Sequence, residues 1–133
     1  DKGDKGFVPF IIQQSIQNGK AAYPNDGTNR WPAVNRQDAA SLFILALEKG
    51  KAGAVYQAIG DEGIPLKEIA RVISEEKNLP LVSVTGDELA QQFQWMAYFI
   101  QFDSPAKADA TKAELGWKPT HIGLLEDMRE HYF

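Results

Sequence analysis

The chain has 133 residues, 44% of them hydrophobic and 24% charged, with a formal net charge of -4 and no cysteine. That length suits one core burying about two-thirds of the unfolded surface, and the composition excludes a disordered or fibrous chain. The negative balance without a long Lys/Arg cluster excludes nucleic acid, and the missing cysteines exclude disulfides and thiolate chemistry and fit a cytoplasmic compartment.

No apolar run approaches the roughly 18 residues of a bilayer span, and the first ten residues lack the layout of a signal peptide. The chain reads as neither secreted nor membrane-spanning. It begins without methionine on a charged loop containing Gly3 and Gly6, which reads as a truncation.

Val8, Ile11, Ile12 and Ile16 fall at helical spacing after Pro9, and Asn18-Gly19 supplies a stop, so a helix is expected over 8–18. Lys20 to Pro24 and Arg30 to Val34 are extended candidates flanking the turn Asn25-Asp26-Gly27-Thr28. Pro32 requires an edge or irregular strand, because proline cannot donate to a ladder. Asp38 is placed to cap the next helix, whose stripe of Ala39, Leu42, Phe43, Ala46 and Leu47 ends at Gly50. Ala54 to Ile59 reads as a strand, Leu66 to about Asn78 as a helix, and Leu81 to Val84 as a short strand.

From Asp87 to Phe102 a helical pattern shows two apolar faces, one through Leu89, Phe93, Met96 and Ile100, the other through Trp95, Tyr98, Phe99 and Phe102. Such a helix must be covered on both sides. It is either the centre of the core or a surface that docks on a missing domain or lines a substrate pocket. Ser104-Pro105 can cap and open a helix ending at Leu115-Gly116, and Thr120 can cap a last one carrying Leu124, Leu125, Met128 and Tyr132.

Some chemistry is absent from the sequence. No glycine-rich strand–loop–helix signature occurs, so the amides that cradle a pyrophosphate are missing. No tyrosine has lysine four positions on: Tyr23 meets Gly27, Tyr56 meets Gly60 and Tyr98 meets Phe102. The chain by itself is expected to bind no dinucleotide and to carry no catalytic residue. His121 and His131 lack metal-ligand spacing and read as ordinary surface or helix-start residues, with no metal site expected. Asp61-Glu62 reads as a turn or capping pair before the helix at Leu66, and Ser15, Ser41 and Ser74 as helix residues.

Four stretches in order change the picture: Gly3 to Pro9, Arg30 to Ala40, Ala54 to Ala58 leading to Leu66 to Ala70, and Lys112 to Thr120 with its Leu115-Gly116-Trp117. Together, over nearly the whole chain, they resemble the C-terminal, substrate-binding half of the NAD-dependent epimerase/dehydratase group of extended or atypical short-chain dehydrogenase/reductases. The resemblance implies an α/β fold, here a helix-rich segment with a few short strands forming a single substrate-binding domain or fragment. It also implies a Rossmann domain upstream that holds NAD or NADP and the acid/base tyrosine and lysine.

Relatives of that group acting on nucleotide sugars carry an arginine seven positions before the aspartate of the next helix and a histidine three before it; here those positions are Trp31 and Asn35, with Arg30 displaced by one. A second arginine, expected before the Leu-Gly-Trp helix, is missing, since none lies between Arg71 and Arg129. Neutral side chains do not replace two guanidiniums clamping a diphosphate. The expected substrate is therefore a small carbonyl or alcohol, in a pocket shaped by Phe7, Arg30, Trp31, Asn35, Trp95, Tyr98 and Phe99. Expected partners are that substrate, the missing Rossmann domain and a second copy in a homodimer. The competing reading is a stand-alone, non-catalytic interaction module derived from the same group; a nucleotide-sugar epimerase proper is a third.

Overall fold

A computed structural model describes residues 3–133. Its elements are α1 (Phe7–Asn18), β1 (Ala21–Pro24), β2 (Arg30–Ala33), α2 (Arg36–Lys49), β3 (Asp61–Pro65), α3 (Leu66–Lys77), β4 (Leu81–Val84), α4 (Asp87–Phe93), 3-10 turns at Gln94–Met96 and Phe99–Gln101, α5 (Asp109–Leu115) and α6 (Leu124–His131). The architecture is mixed α/β and helix-rich, as the sequence implies. Gly19 and Asn78 end α1 and α3 in the left-handed conformation, where a side chain at Gly19 would be strained and asparagine is tolerated.

The two extended segments around the Asn25–Thr28 turn do not pair with each other. β1 runs parallel to β4, with Ala21 opposite Leu81, and β2 runs antiparallel to β3, with Trp31 opposite Ile64. Pro32 sits at an irregularity between Trp31 and Ala33, which resolves its missing N–H without costing a ladder bond. Asp26 closes the turn by itself, its carboxylate accepting from the amide and hydroxyl of Thr28, contacts that hold its pKa below the ordinary value.

The main core gathers Ile11 and Ile12 of α1, Ala21 and Ala22 of β1, Ile69 and Ile73 of α3, Val84 of β4 and Met128 of α6. The face Leu89, Phe93, Met96 and Ile100 joins it fully buried, as its spacing predicts. The long helix expected there is broken. Gln94 stands at φ 48, ψ -122, a region natural mainly to glycine, and its side chain donates 3.1 Å to Gln14 of α1. A smaller core holds Leu42 of α2, Ala108, Leu115 and Trp117.

Other expectations are corrected. Asn35, not Asp38, caps α2, its Oδ1 accepting from the Gln37 amide at 2.9 Å. The outer part of the predicted α2 stripe is bare: Phe43 is 73% and Leu47 88% exposed. Ala54–Ile59 belongs to no sheet among the described residues, although the Gln57 amide is held by the Thr111 hydroxyl at 2.8 Å. Ser104-Pro105 starts no helix, because the Ser104 and Ala106 amides bond to the carbonyls of Arg30 and Glu62, extending that region along β2 and β3. Thr120 caps nothing. α6 starts at Leu124, whose amide is taken by the Asp61 carboxylate at 2.9 Å, so Asp61 does cap a helix, but the distant one.

Candidate functional site

Segment 99–106 is stapled across β2, and this brings the aromatic residues together. The Trp31 indole N–H donates to the Phe102 carbonyl at 3.0 Å, and the Asn29 amide donates to the carbonyl of Ile100 at 2.6 Å. Phe7 meets Trp31 edge-on at 5.6 Å between ring centres and Trp95 at 6.1 Å; Phe10 backs Trp95 at 5.4 Å. The outcome is an open apolar groove of about 460 Å³ lined by Phe7, Trp31, Trp95, Phe99, Phe102 and Ser104. Trp95 is 59% exposed although two neighbouring rings, Phe7 and Phe10, anchor it. The 3-10 geometry explains that exposure: the break at Gln94 turns Met96 inward and leaves Trp95 and Phe99 outward.

A second cavity of about 570 Å³ shares Phe7, Trp31 and Pro32 with the groove and adds Asn35, Arg36, Asp127 and Tyr132. Asn35 therefore lines this polar side while capping α2. The Tyr132 phenol there is pushed above its ordinary pKa, first by burial and then by its hydrogen bond to Asp4 at 2.8 Å, so it stays protonated at neutral pH.

Of the seven residues singled out in the sequence, Phe7, Trp31, Trp95 and Phe99 share the groove. Tyr98 stands outside it, 68% exposed, edge-on to Phe99 and Phe102. Arg30 faces elsewhere. Its guanidinium forms a forked pair with Asp103, Nε to Oδ1 at 3.1 Å and Nη2 to Oδ2 at 2.9 Å, while Asp103 also accepts from the Arg30 amide at 2.7 Å. That hydrogen-bonded pair raises the pKa of Arg30 and lowers that of Asp103. Phe102 and Ser104 complete the groove unforeseen. Phe102 lay in the right apolar face, whereas Ser104 carried only a helix-cap signal.

Asp38 organises the opposite side of the molecule. It is 3% exposed, and its carboxylate accepts from the Thr120 and His121 amides at 3.0 Å each and pairs with the His121 Nδ1 at 2.7 Å. Burial pushes its pKa up, the His121 ring and the two amides pull it down, and the downward pull wins. Its backbone carbonyl accepts the buried Trp117 indole N–H at 3.0 Å.

A pyrophosphate does not fit these residues. β4 leads through Gly86 into α4, yet that helix opens on Asp87 and Glu88, which repel an anion. At the end of β1, Gly27 is packed against Tyr23 and Lys67, and Asp26 occupies the turn amide. Among the described residues no three His, Asp or Glu side chains gather to hold a metal ion. No helix among them is long and apolar enough to cross a membrane.

No protein-family model matches the chain. It is 48% identical over 131 residues to an uncharacterized protein of Saccharomyces cerevisiae, covering 98% of this chain and 44% of that protein. It is 45% identical over 126 residues to an uncharacterized protein of Schizosaccharomyces pombe, covering 95% and 43%. The chain thus spans less than half the length of the curated relatives it matches.

Solved structures share its fold. A dTDP-glucose 4,6-dehydratase from Bacillus anthracis in complex with NAD superposes with a TM-score of 0.68 at 19% identity, over 96% of this chain and 39% of that one. A UDP-glucuronic acid 4-epimerase from Bacillus cereus in complex with NAD gives 0.64 at 17%, over 94% and 37%. RMD from Pseudomonas aeruginosa complexed with NADPH gives 0.61 at 18%, over 96% and 42%. The fold is that of one part of such dehydratases and epimerases. At these identities the likeness speaks for the fold alone.

Proposed function

We propose that the chain is the substrate-binding portion of an NAD(P)-dependent oxidoreductase or epimerase that acts on a small carbonyl or alcohol. The coenzyme and the acid/base residues then belong to a Rossmann domain outside these residues. The carrying observation is an uncovered apolar surface on α2 and the segment after it: Phe43 and Leu47 are exposed, and Val55 is 87% exposed in the segment 54–59 that has strand composition but no ladder partner among the described residues. Burying such residues is worth about 1.5–3 kcal/mol each, and an unpaired edge invites another strand, so this surface suits more of the same polypeptide. The partial coverage of larger NAD- and NADPH-bound structures supports the same view.

In this reading the chain supplies shape. Phe7, Trp31, Trp95 and Phe99 hold the substrate and exclude water, while hydride chemistry comes from the coenzyme. The test is calorimetric titration of NADH and NADPH into the 133-residue chain and into a longer polypeptide that extends it upstream. The longer polypeptide is expected to bind coenzyme and oxidise it with a carbonyl compound, and the short chain to do neither. Coenzyme turnover by the short chain, or a longer polypeptide that ignores both coenzymes, overturns the proposal. The latter result favours a non-catalytic interaction module.

A further inference from the structure

We infer that the aromatic groove selects a neutral, planar, apolar small molecule and rejects phosphate- or carboxylate-bearing ones, an inference that rests on the assignment of this groove to substrate. Five aromatic side chains line it, and among the described residues no charged side chain does. Arg30, next to Trp31 in the chain, is spent: both oxygens of Asp103 hold its guanidinium, and it opens onto a separate polar cavity with Asp26, Asn29 and Gln101, while Lys5 and Arg36 line the adjoining cavity and not the groove. An anion entering the groove would shed its hydration and find no charged partner among the described residues that line it.

What the groove does offer matches a flat apolar guest. Trp95 and Phe99 present ring surface outward at 59% and 53% exposure, and a guest ring stacked there gains both buried area and face-to-edge contact. Its volume of about 460 Å³ lies in the range that takes small molecules. The indole N–H of Trp31 is already committed to Phe102, which leaves the Ser104 hydroxyl and the Trp95 indole N–H, neither hydrogen-bonded among the described residues, to meet a carbonyl or hydroxyl oxygen of the guest. Two side-chain polar groups in an otherwise apolar slot fit an aryl aldehyde or aryl alcohol better than a polyhydroxylated sugar, most of whose hydroxyls would go unpaired.

The experiment titrates benzaldehyde, 4-carboxybenzaldehyde and UDP into the 133-residue chain, read by tryptophan fluorescence and calorimetry, with Trp95→Ala and Phe43→Ala as variants. Benzaldehyde is expected to bind at least ten times more tightly than either anion. Trp95→Ala should weaken it tenfold or more while the variant still unfolds in one cooperative transition, and Phe43→Ala should leave binding unaltered. Equal or tighter binding of 4-carboxybenzaldehyde or UDP overturns the inference, as does no benzaldehyde binding or a dimer that forms through the groove and is lost in Trp95→Ala. In the longer polypeptide the two ideas separate. Coenzyme oxidation that prefers the carboxylated aldehyde refutes the selectivity and keeps the enzyme; benzaldehyde binding without coenzyme binding does the reverse.

Discussion

Replacing Asp38 should cost more stability than any exposed charge in the molecule. Its carboxylate accepts two backbone amides and pairs with an imidazole while almost wholly buried. Hydrogen bonds to a charged group contribute about 1.5–3 kcal/mol each, and amides left unpaired cost about 1–3 kcal/mol. Because the contacts share one anchor they do not add fully, and Asp38→Ala should lose about 3–5 kcal/mol. Asp38→Asn keeps the shape, but its amide nitrogen must face a backbone donor, for about 2 kcal/mol.

Urea unfolding at constant slope measures this, and about 2 kcal/mol moves the midpoint by about 1–2 M. The pH dependence carries the sharper signature. A carboxyl whose folded pKa is depressed stabilises fully above its unfolded value near 4, and that contribution drains away as pH falls through the lower folded pKa. The gap between the native chain and Asp38→Asn should persist above about pH 5 and close as the pH falls below about 4. A loss under about 1 kcal/mol at pH 7, or a gap unchanged by acid, refutes the account of Asp38 as a charged anchor.

Gly27 sits at φ +72, and a Cβ there would come within 2.6 Å of Lys67 Cβ and Tyr23 Cδ2, so Gly27→Ala should cost about 2–4 kcal/mol by urea unfolding; an unshifted midpoint contradicts the close packing of the turn on α3. Gln92 is 1% exposed with neither side-chain polar atom hydrogen-bonded among the described residues. Gln92→Leu should therefore raise thermal stability by about 1–2 kcal/mol, and a destabilised leucine variant would mean that the amide has a partner.

The parts of this fold that the sequence foretold are those written in local periodicity. The helices at 7–18 and 66–77 and the strand at 81–84 follow from spacing and from their stops at Gly19 and Asn78. The inward face of Leu89, Phe93, Met96 and Ile100 was equally legible, since 3.6-residue spacing survives the break. The break was hidden because Gln94 is neither glycine nor proline. Long-range partnerships were hidden too. An aspartate near a helix start reads as a cap, and nothing nearby says that its acceptors are used 82 and 83 residues on. Trp95 and Phe99 were legible because large aromatics on an outward face are visible in one dimension, and Phe7 and Trp31 because they lie in stretches that carry the resemblance; the locking of Arg30 by Asp103, 73 residues away, was not.

The parallel pairing of β1 with β4 joins residues about sixty positions apart, and the loop after Trp117 closes over α2 from farther still. While a ribosome is still emitting residues 25 to 80, the nascent first strand has nothing to zip against, and its helices can only flicker. Topology of this sort delays the β1–β4 pairing until residue 84 has emerged, so closure of this core comes late in its synthesis.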